Sequence, residues 1–400
     1  MRKLNLILIF SLGLILSVSG CKKRKNPVEA TALKQFDYFR ITQNLWPALN
    51  DPPLSNQFSI PTRTVMVYIP GEVPVDSNGQ IPITFKAKYP VLYLLTDFGQ
   101  DALVFANTYR VKDIADELIA KGVIKPMIIV IADGNNPMGG GFYLNSIGGN
   151  FEDYVAFDLR LQIDTLFFSR IVNDSTKKRG ISGVGMGGYA AFRVAMDYPQ
   201  YYGSVSSISA PLAIDSGSFG YWFKDYLWTR AIQEGLSFSS PPESNLVTIP
   251  WDKAKPATSW LFGMAFGFST HDPSDPDSSS YFKIDNYPQG GPFRGVDLPF
   301  DSTGTLRPSI WTKWLNNDIK TLLAGSKSGS LTNTKIYFEV GDQDSYMLQI
   351  ANRNFNSFLT TQSYTYTYNI FSGYSNFPAD HFNYAFDRII AILKFHSSNF

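Results

Sequence analysis

Two nearly unbroken apolar runs, Tyr89 to Leu95 and Met127 to Ala132, and a shorter third from Gly180 to Gly183 punctuate the first half of the chain. Runs without polar alternation predict strands covered on both faces. Between the first two, Val111, Ile114, Ala115, Leu118 and Ile119 recur at helical spacing over Val111 to Lys121, and Gly122 ends the pattern. Buried strands alternating with helices predict an α/β fold with a mostly parallel sheet and helices on both faces. Arg63 to Ile69 reads as a strand stopped by Pro70-Gly71, and Pro74 to Gln80 continues as loop. Further strands are expected at Tyr201 to Ile208, Lys335 to Val340 and Tyr364 to Phe371, with a closing helix over Tyr384 to Phe395.

Two stretches break this rhythm. Glu29 to Leu54 has no sustained period and suits a lead-in packed on the main domain. Residues 211–334 are rich in Gly, Pro, Ser and Asp and hold Trp222, Trp228, Trp251, Trp260, Trp311 and Trp314, six of the seven tryptophans. A long segment between two sheet strands must lie outside the sheet, so an inserted cap over the C-terminal strand ends is expected, where open α/β sheets bind ligands. Its aromatics can stack on sugars or arenes, but a small core of the insertion itself is the favoured reading.

Composition narrows the class. At 400 residues, 44% hydrophobic, the chain can bury a large core. A net charge of +1 offers no electrostatic footprint for nucleic acid. Arg2 and Lys3, an apolar run from Leu4 to Val18, then Ser19-Gly20-Cys21 are built like a secretion signal rather than a membrane span. Val18-Ser19-Gly20-Cys21 resembles the bacterial lipobox, which makes Cys21 the expected lipidation site and places the protein in the cell envelope. Each buried methylene of the anchor contributes about 0.8 kcal/mol. Cys21 is the sole cysteine, so no intrachain disulfide can form. The expected organisation is a signal peptide at 1–20, a tether and lead-in at 21–54, and one domain at 55–400 carrying the insertion.

The chemistry centres on Arg179-Gly-Ile-Ser-Gly-Val-Gly-Met-Gly-Gly-Tyr-Ala-Ala191. This has the strand, sharp turn and helix start of a nucleophile elbow, G-x-S-x-G, with Gly185 where the serine belongs. Together with Tyr89-Pro-Val-Leu-Tyr-Leu-Leu95, the stretch Val111 to Val130, Asp133-Gly134, Gly341-Asp-Gln-Asp344 and Asp380-His381-Phe382, the elbow resembles the putative-esterase family of α/β-hydrolases, which includes esterase D, feruloyl and acetylxylan esterases and mycolyltransferases. The resemblance runs from about Thr62 to the C-terminus and is weakest across the insertion. It implies an α/β-hydrolase fold and acyl-ester chemistry on small-molecule or carbohydrate esters. It also implies His381 as general base oriented by Asp344, with backbone amides of Met186 and Phe98 for the oxyanion.

Two departures oppose that chemistry. Gly185 has no attacking oxygen, and the family's His-Gly after the first long strand is Thr96-Asp97. A carboxylate there opposes developing negative charge unless it is turned away or protonated. A binding or accessory role is therefore expected, with an active esterase using a relocated nucleophile or a His381-activated water as the alternative. Ser182, the nearest hydroxyl, should be constrained within its strand, while loss of the serine side chain should leave room for a water. Asp342 rivals Asp344; His271 sits in a loop, and His396 near a helix C-terminus, where a cation is favoured. Asp272, Asp275 and Asp277 read as a solvated turn rather than a calcium loop, and Met138-Gly-Gly-Gly141 as a flexible loop at the cleft mouth. No cofactor motif is present, and one cysteine with three histidines makes a zinc or iron site unexpected.

Overall fold

The computed structural model describes residues 39–43, 63–70, 88–136, 138–146, 149–166, 179–218, 220–239, 246–247, 255–271, 281–284, 295–374 and 377–400. The expected signal segment and lipidation site at Cys21, the loop 74–80, Trp251 and the 272–277 aspartates lie outside them.

Among the described residues, eight strands form the central sheet: β1 (Phe39–Gln43), β2 (Arg63–Tyr68), β3 (Val91–Leu95), β4 (Ile128–Ala132), β5 (Arg179–Gly183), β6 (Ser204–Ile208), β7 (Lys335–Gly341) and β8 (Tyr366–Phe371). Their order is β1-β2-β4-β3-β5-β6-β7-β8, so the first apolar runs become the sheet's interior. β2 pairs antiparallel with β1 and β4, and every other pairing is parallel. Every residue of β3 and β4 is buried, as uninterrupted Val, Ile and Leu require when both faces are covered.

Helices α1 (Ala102–Thr108), α2 (Val111–Ala120) and α6 (Ala385–Asn399) contribute to the core on one face. α3 (Met186–Asp197), α5 (Leu348–Leu359) and the insertion's α4 (Pro256–Phe268) contribute to the other. The Asp101 carboxylate caps α1 by accepting from the Val104 amide at 2.8 Å. This is the expected α/β-hydrolase architecture, with elements displaced by one or a few residues at their ends. The closing helix runs four residues past its expected end at Phe395, to Asn399, and β6 begins three residues late, at Ser204, because Pro199 to Gly203 form the turn leading into it.

Trp222, Trp228, Trp260 and Trp314 of the insertion are buried in the same cluster as the sheet residues Leu95 and Val205. The inserted segment therefore shares the main core as well as packing on itself.

Candidate active site

The turn between β5 and α3 is built for close approach. A Cβ at Gly187 would overlap the Leu95 carbonyl, so the helix starts directly against β3. Gly185 sits at φ 52°, ψ −114°, a backbone conformation that strains any side chain. Its amide donates to Ile208 O at 2.8 Å, which holds the turn over the end of β6.

The space that a side chain at 185 would fill is taken by Asp97 from the loop after β3. A Cβ at Gly185 would overlap that carboxylate. Oδ1 of Asp97 accepts from the amides of Phe98 at 2.7 Å and Met186 at 2.9 Å, the two donors the resemblance assigns to the oxyanion. Oδ2 meets Nε2 of His381 at 2.8 Å, and Nδ1 of His381 meets Oδ2 of Asp344 at 3.1 Å. The carboxylate is neither turned away nor left without donors. Its charge is met by two amides and an imidazole, which is why it can sit in a pocket suited to negative charge. The room expected for a water is filled by this side chain.

Electrostatics lock the array. Burial pushes the His381 pKa down, but Asp344 and then Asp97 outweigh it and raise the imidazole from 6.5 to about 9. Burial likewise raises Asp344, yet the His381 charge, with hydrogen bonds from His381, Ser209 and the Tyr346 amide, leaves it below the usual carboxylate value. At neutral pH the centre is an imidazolium between two carboxylates. Tyr346 stands with its ring centre 4.8 Å from that of His381, Phe382 at 4.8 Å and Trp260 of the insertion at 5.8 Å.

A second layer orients the histidine loop. Arg388 of α6, only 1% exposed, donates to Glu339 Oε1 at 2.8 Å, to Ser209 Oγ at 2.7 Å and to the Asp380 carbonyl at 3.1 Å. It ties the closing helix to β7, to the turn after β6 and to the residue preceding His381.

The remaining candidates fall elsewhere. Asp342 accepts from the Ala379 amide at 3.1 Å and so braces the histidine loop from outside the array. Ser182 lies in β5 with its hydroxyl accepting from Ser206 Oγ at 2.7 Å, as its strand position implied. His396 departs from expectation. It is buried between Ser204 at 2.7 Å and Ser206 at 2.8 Å, and burial lowers its pKa to about 3, so it is a neutral core residue rather than a helix-end cation. His271 pairs with Asp297 at 2.9 Å inside the insertion. Met138 is fully buried and Gly140 packs against Met186, so this glycine-rich stretch is part of the wall of the site.

A mostly parallel sheet whose strand–turn–helix junction faces a histidine and an acid delivered by later loops defines an α/β-hydrolase. The chain belongs to the putative esterase family, whose model matches residues 62–391. Over 145 residues it is 29% identical to an endo-1,4-beta-xylanase/feruloyl esterase of Xylanibacter ruminicola, covering 35% of this chain and 18% of that protein. The match therefore spans about a fifth of the relative's length. A solved ferulic acid esterase superposes with a TM-score of 0.53 at 18% identity, covering 91% of this chain and 99% of that one. An S-formylglutathione hydrolase from Agrobacterium tumefaciens superposes at 0.52 with 15% identity, covering 92% and 97%. At these identities the structural likeness shows the fold.

Proposed function

We propose that this esterase-family protein is a cell-envelope lipoprotein, anchored through Cys21, that does not carry out serine acyl transfer and acts as a ligand-binding or accessory protein. One observation carries the reading: Gly185 lacks the attacking oxygen, while Asp97 takes both oxyanion amides and Nε2 of His381. Without the serine, a triad enzyme retains a residual rate of about 10³ to 10⁴ over water from its oxyanion hole and binding. Here the hole is filled as well, so even that remainder is withdrawn. The same occupancy counts against a His381-activated water, because the ring nitrogen that would take the proton is bonded to Asp97. Ser182 is directed into a serine–histidine chain within the sheet and does not supply a replacement nucleophile.

The ligand class we favour is a carbohydrate acyl ester, in line with the feruloyl esterase activity named for the Xylanibacter relative. Trp260 and Tyr346, stacked at 4.7 Å, stand beside the histidine with ring centres 5.8 and 4.8 Å from its own.

Hydrolysis of an aryl acetate and a feruloyl ester tests the reading in the parent, in Gly185→Ser and in Gly185→Ser combined with Asp97→Gly. Parent and single variant are expected to be inactive, since the serine Cβ overlaps the carboxylate. The double variant frees both amides and supplies the oxygen, and should gain about two orders of magnitude or more. Parent turnover that disappears in His381→Ala would overturn the proposal.

A further inference from the structure

The segment from the end of β8 into the first turn of α6 carries rings that the core does not use. Tyr374, Phe377, Phe382 and Phe386 are 37 to 67% exposed, and they are the exposed aromatic residues among the described residues. Tyr384 holds Tyr374 at 5.2 Å and Phe377 at 6.4 Å between ring centres, Phe382 lies 4.8 Å from His381, and the Arg110 guanidinium lies 5.8 Å over Phe386. Together they leave on the order of 400 Å² of ring surface uncovered, a size at which an apolar patch on a monomer is often functional.

The polar groups of this loop are bonded within it. Tyr374 and Phe377 exchange backbone hydrogen bonds at 3.2 and 2.9 Å. The Asp380 carboxylate accepts from the amides of Phe382 and Asn383, both at 2.7 Å, and Asn383 Nδ2 donates to the Pro378 carbonyl at 2.8 Å. A sugar needs donors and acceptors beside the rings it stacks on, whereas a lipid needs a backbone that is already satisfied. Asp380, Asp387 and Arg110 stand among the rings, so no cationic excess selects anionic headgroups and apolar transfer carries the contact.

We propose that this loop is a bilayer-contact surface: Tyr374, Phe377, Phe382 and Phe386 enter the interface of the membrane that holds the Cys21 anchor, and turn the His381 side of the domain toward the lipid. This rests on the reading that Cys21 is acylated. Two antiparallel pairings make β1 run the same way as β4, so the chain enters β1 at Phe39 on the end of the sheet opposite the ring-bearing loop. From Cys21 to Phe39 the chain reaches about 60 Å when extended, against a sheet about 34 Å wide with strands about 17 Å long. Anchor and rings can therefore share one membrane plane although they leave the sheet at opposite ends. Aromatic side chains favour that interface, and a tethered patch meets it at high effective concentration, so a contact too weak to hold a free domain suffices to orient an anchored one.

The experiment is hydroxyl-radical footprinting of the acylated mature chain in phosphatidylcholine vesicles, read by peptide mass spectrometry against the mature Cys21→Ser chain free in solution. Oxidation of the four rings should fall about threefold or more on the vesicles, while Leu161, 53% exposed in the segment before β5, keeps its rate. In the Cys21→Ser chain, flotation with the same vesicles should be weak and should drop about tenfold on adding Phe377→Ser and Phe382→Ser, with circular dichroism unchanged. Rings that stay fully reactive in the vesicle-bound acylated chain would overturn the proposal. So would protection that appears without vesicles as the mass doubles, which assigns the patch to a second copy, or protection by xylan oligosaccharides and not by vesicles, which assigns it to a sugar. Footprinting needs no substitution in the rings, so a variant that fails to fold does not shield the idea. An intact mass without acyl chains on Cys21 would sink the anchor reading alone, and the ring dependence of flotation would then decide the patch by itself.

Discussion

Replacing Asp97 by asparagine keeps the side-chain shape and removes the charge that faces His381. In the parent, burial lowers the imidazole pKa while Asp344 and then Asp97 raise it, with a net move from 6.5 to about 9. That move is worth roughly 3 kcal/mol in favour of the protonated ring. Burial is the largest effect and opposes both charges, so the two carboxylates together raise the ring by more than the net move, and the variant's His381 midpoint should fall by at least about one pH unit, or about 1.4 kcal/mol. Because the folded value lies above the unfolded one, this contribution is fully present below pH 6.5 and fades as pH rises through about 9. Glu152, raised by burial from 4.5 to about 8, fades in the same direction, so the quantity to read is the difference between parent and variant. Exchanging charged for neutral hydrogen bonds at the Phe98 and Met186 amides adds about 1 kcal/mol. The variant should therefore be about 2 to 3 kcal/mol less stable near neutral pH, with the gap narrowing toward alkaline pH. Proton NMR of the imidazoles gives the midpoint, and with three histidines, His271→Gln and His396→Gln complete the assignment. Urea unfolding across the same pH range gives the stability. A His381 midpoint that stays at the parent value, or a gap that does not narrow, refutes the imidazolium–dicarboxylate account.

Arg388→Met should destabilise the fold by about 3 to 5 kcal/mol, because it leaves Glu339 buried without its partner, and adding Glu339→Gln should recover part of the loss in chemical denaturation. For His396 the sign is reversed: its folded pKa, lowered by burial to about 3 from 6.5, means that protonation favours the unfolded chain and stability falls as pH drops below 6.5. At a pH of about 4.5 this amounts to roughly 2 to 3 kcal/mol, and the acid slope should be shallower in His396→Gln than in the parent.

The sheet was legible because its strands are apolar without interruption; Val91–Leu95 and Ile128–Ala132 have no other reading that buries both faces. Gly185 was legible from the turn around it, and Asp344 with His381 from their order along the chain. Asp97 was noticed as an obstacle to negative charge, but its place could not be read. That depends on the volume left by Gly185 and on amides converging from two distant segments. Arg388 was missed although a signal existed. It shares a helix face with Ile392 and stands beside Ile389, where a cation is expected only if it is paired. His396 carried a similar signal, lying seven residues after Ile389 and four after Ile392 on the buried face, and this outweighs its nearness to the helix end.

A side chain at 185 and the carboxylate at 97 compete for one volume, because a Cβ at Gly185 would overlap Asp97. The two positions therefore behave as a single unit under substitution: what is placed at one decides what the other can hold, and single and double variants at the pair should be far from additive.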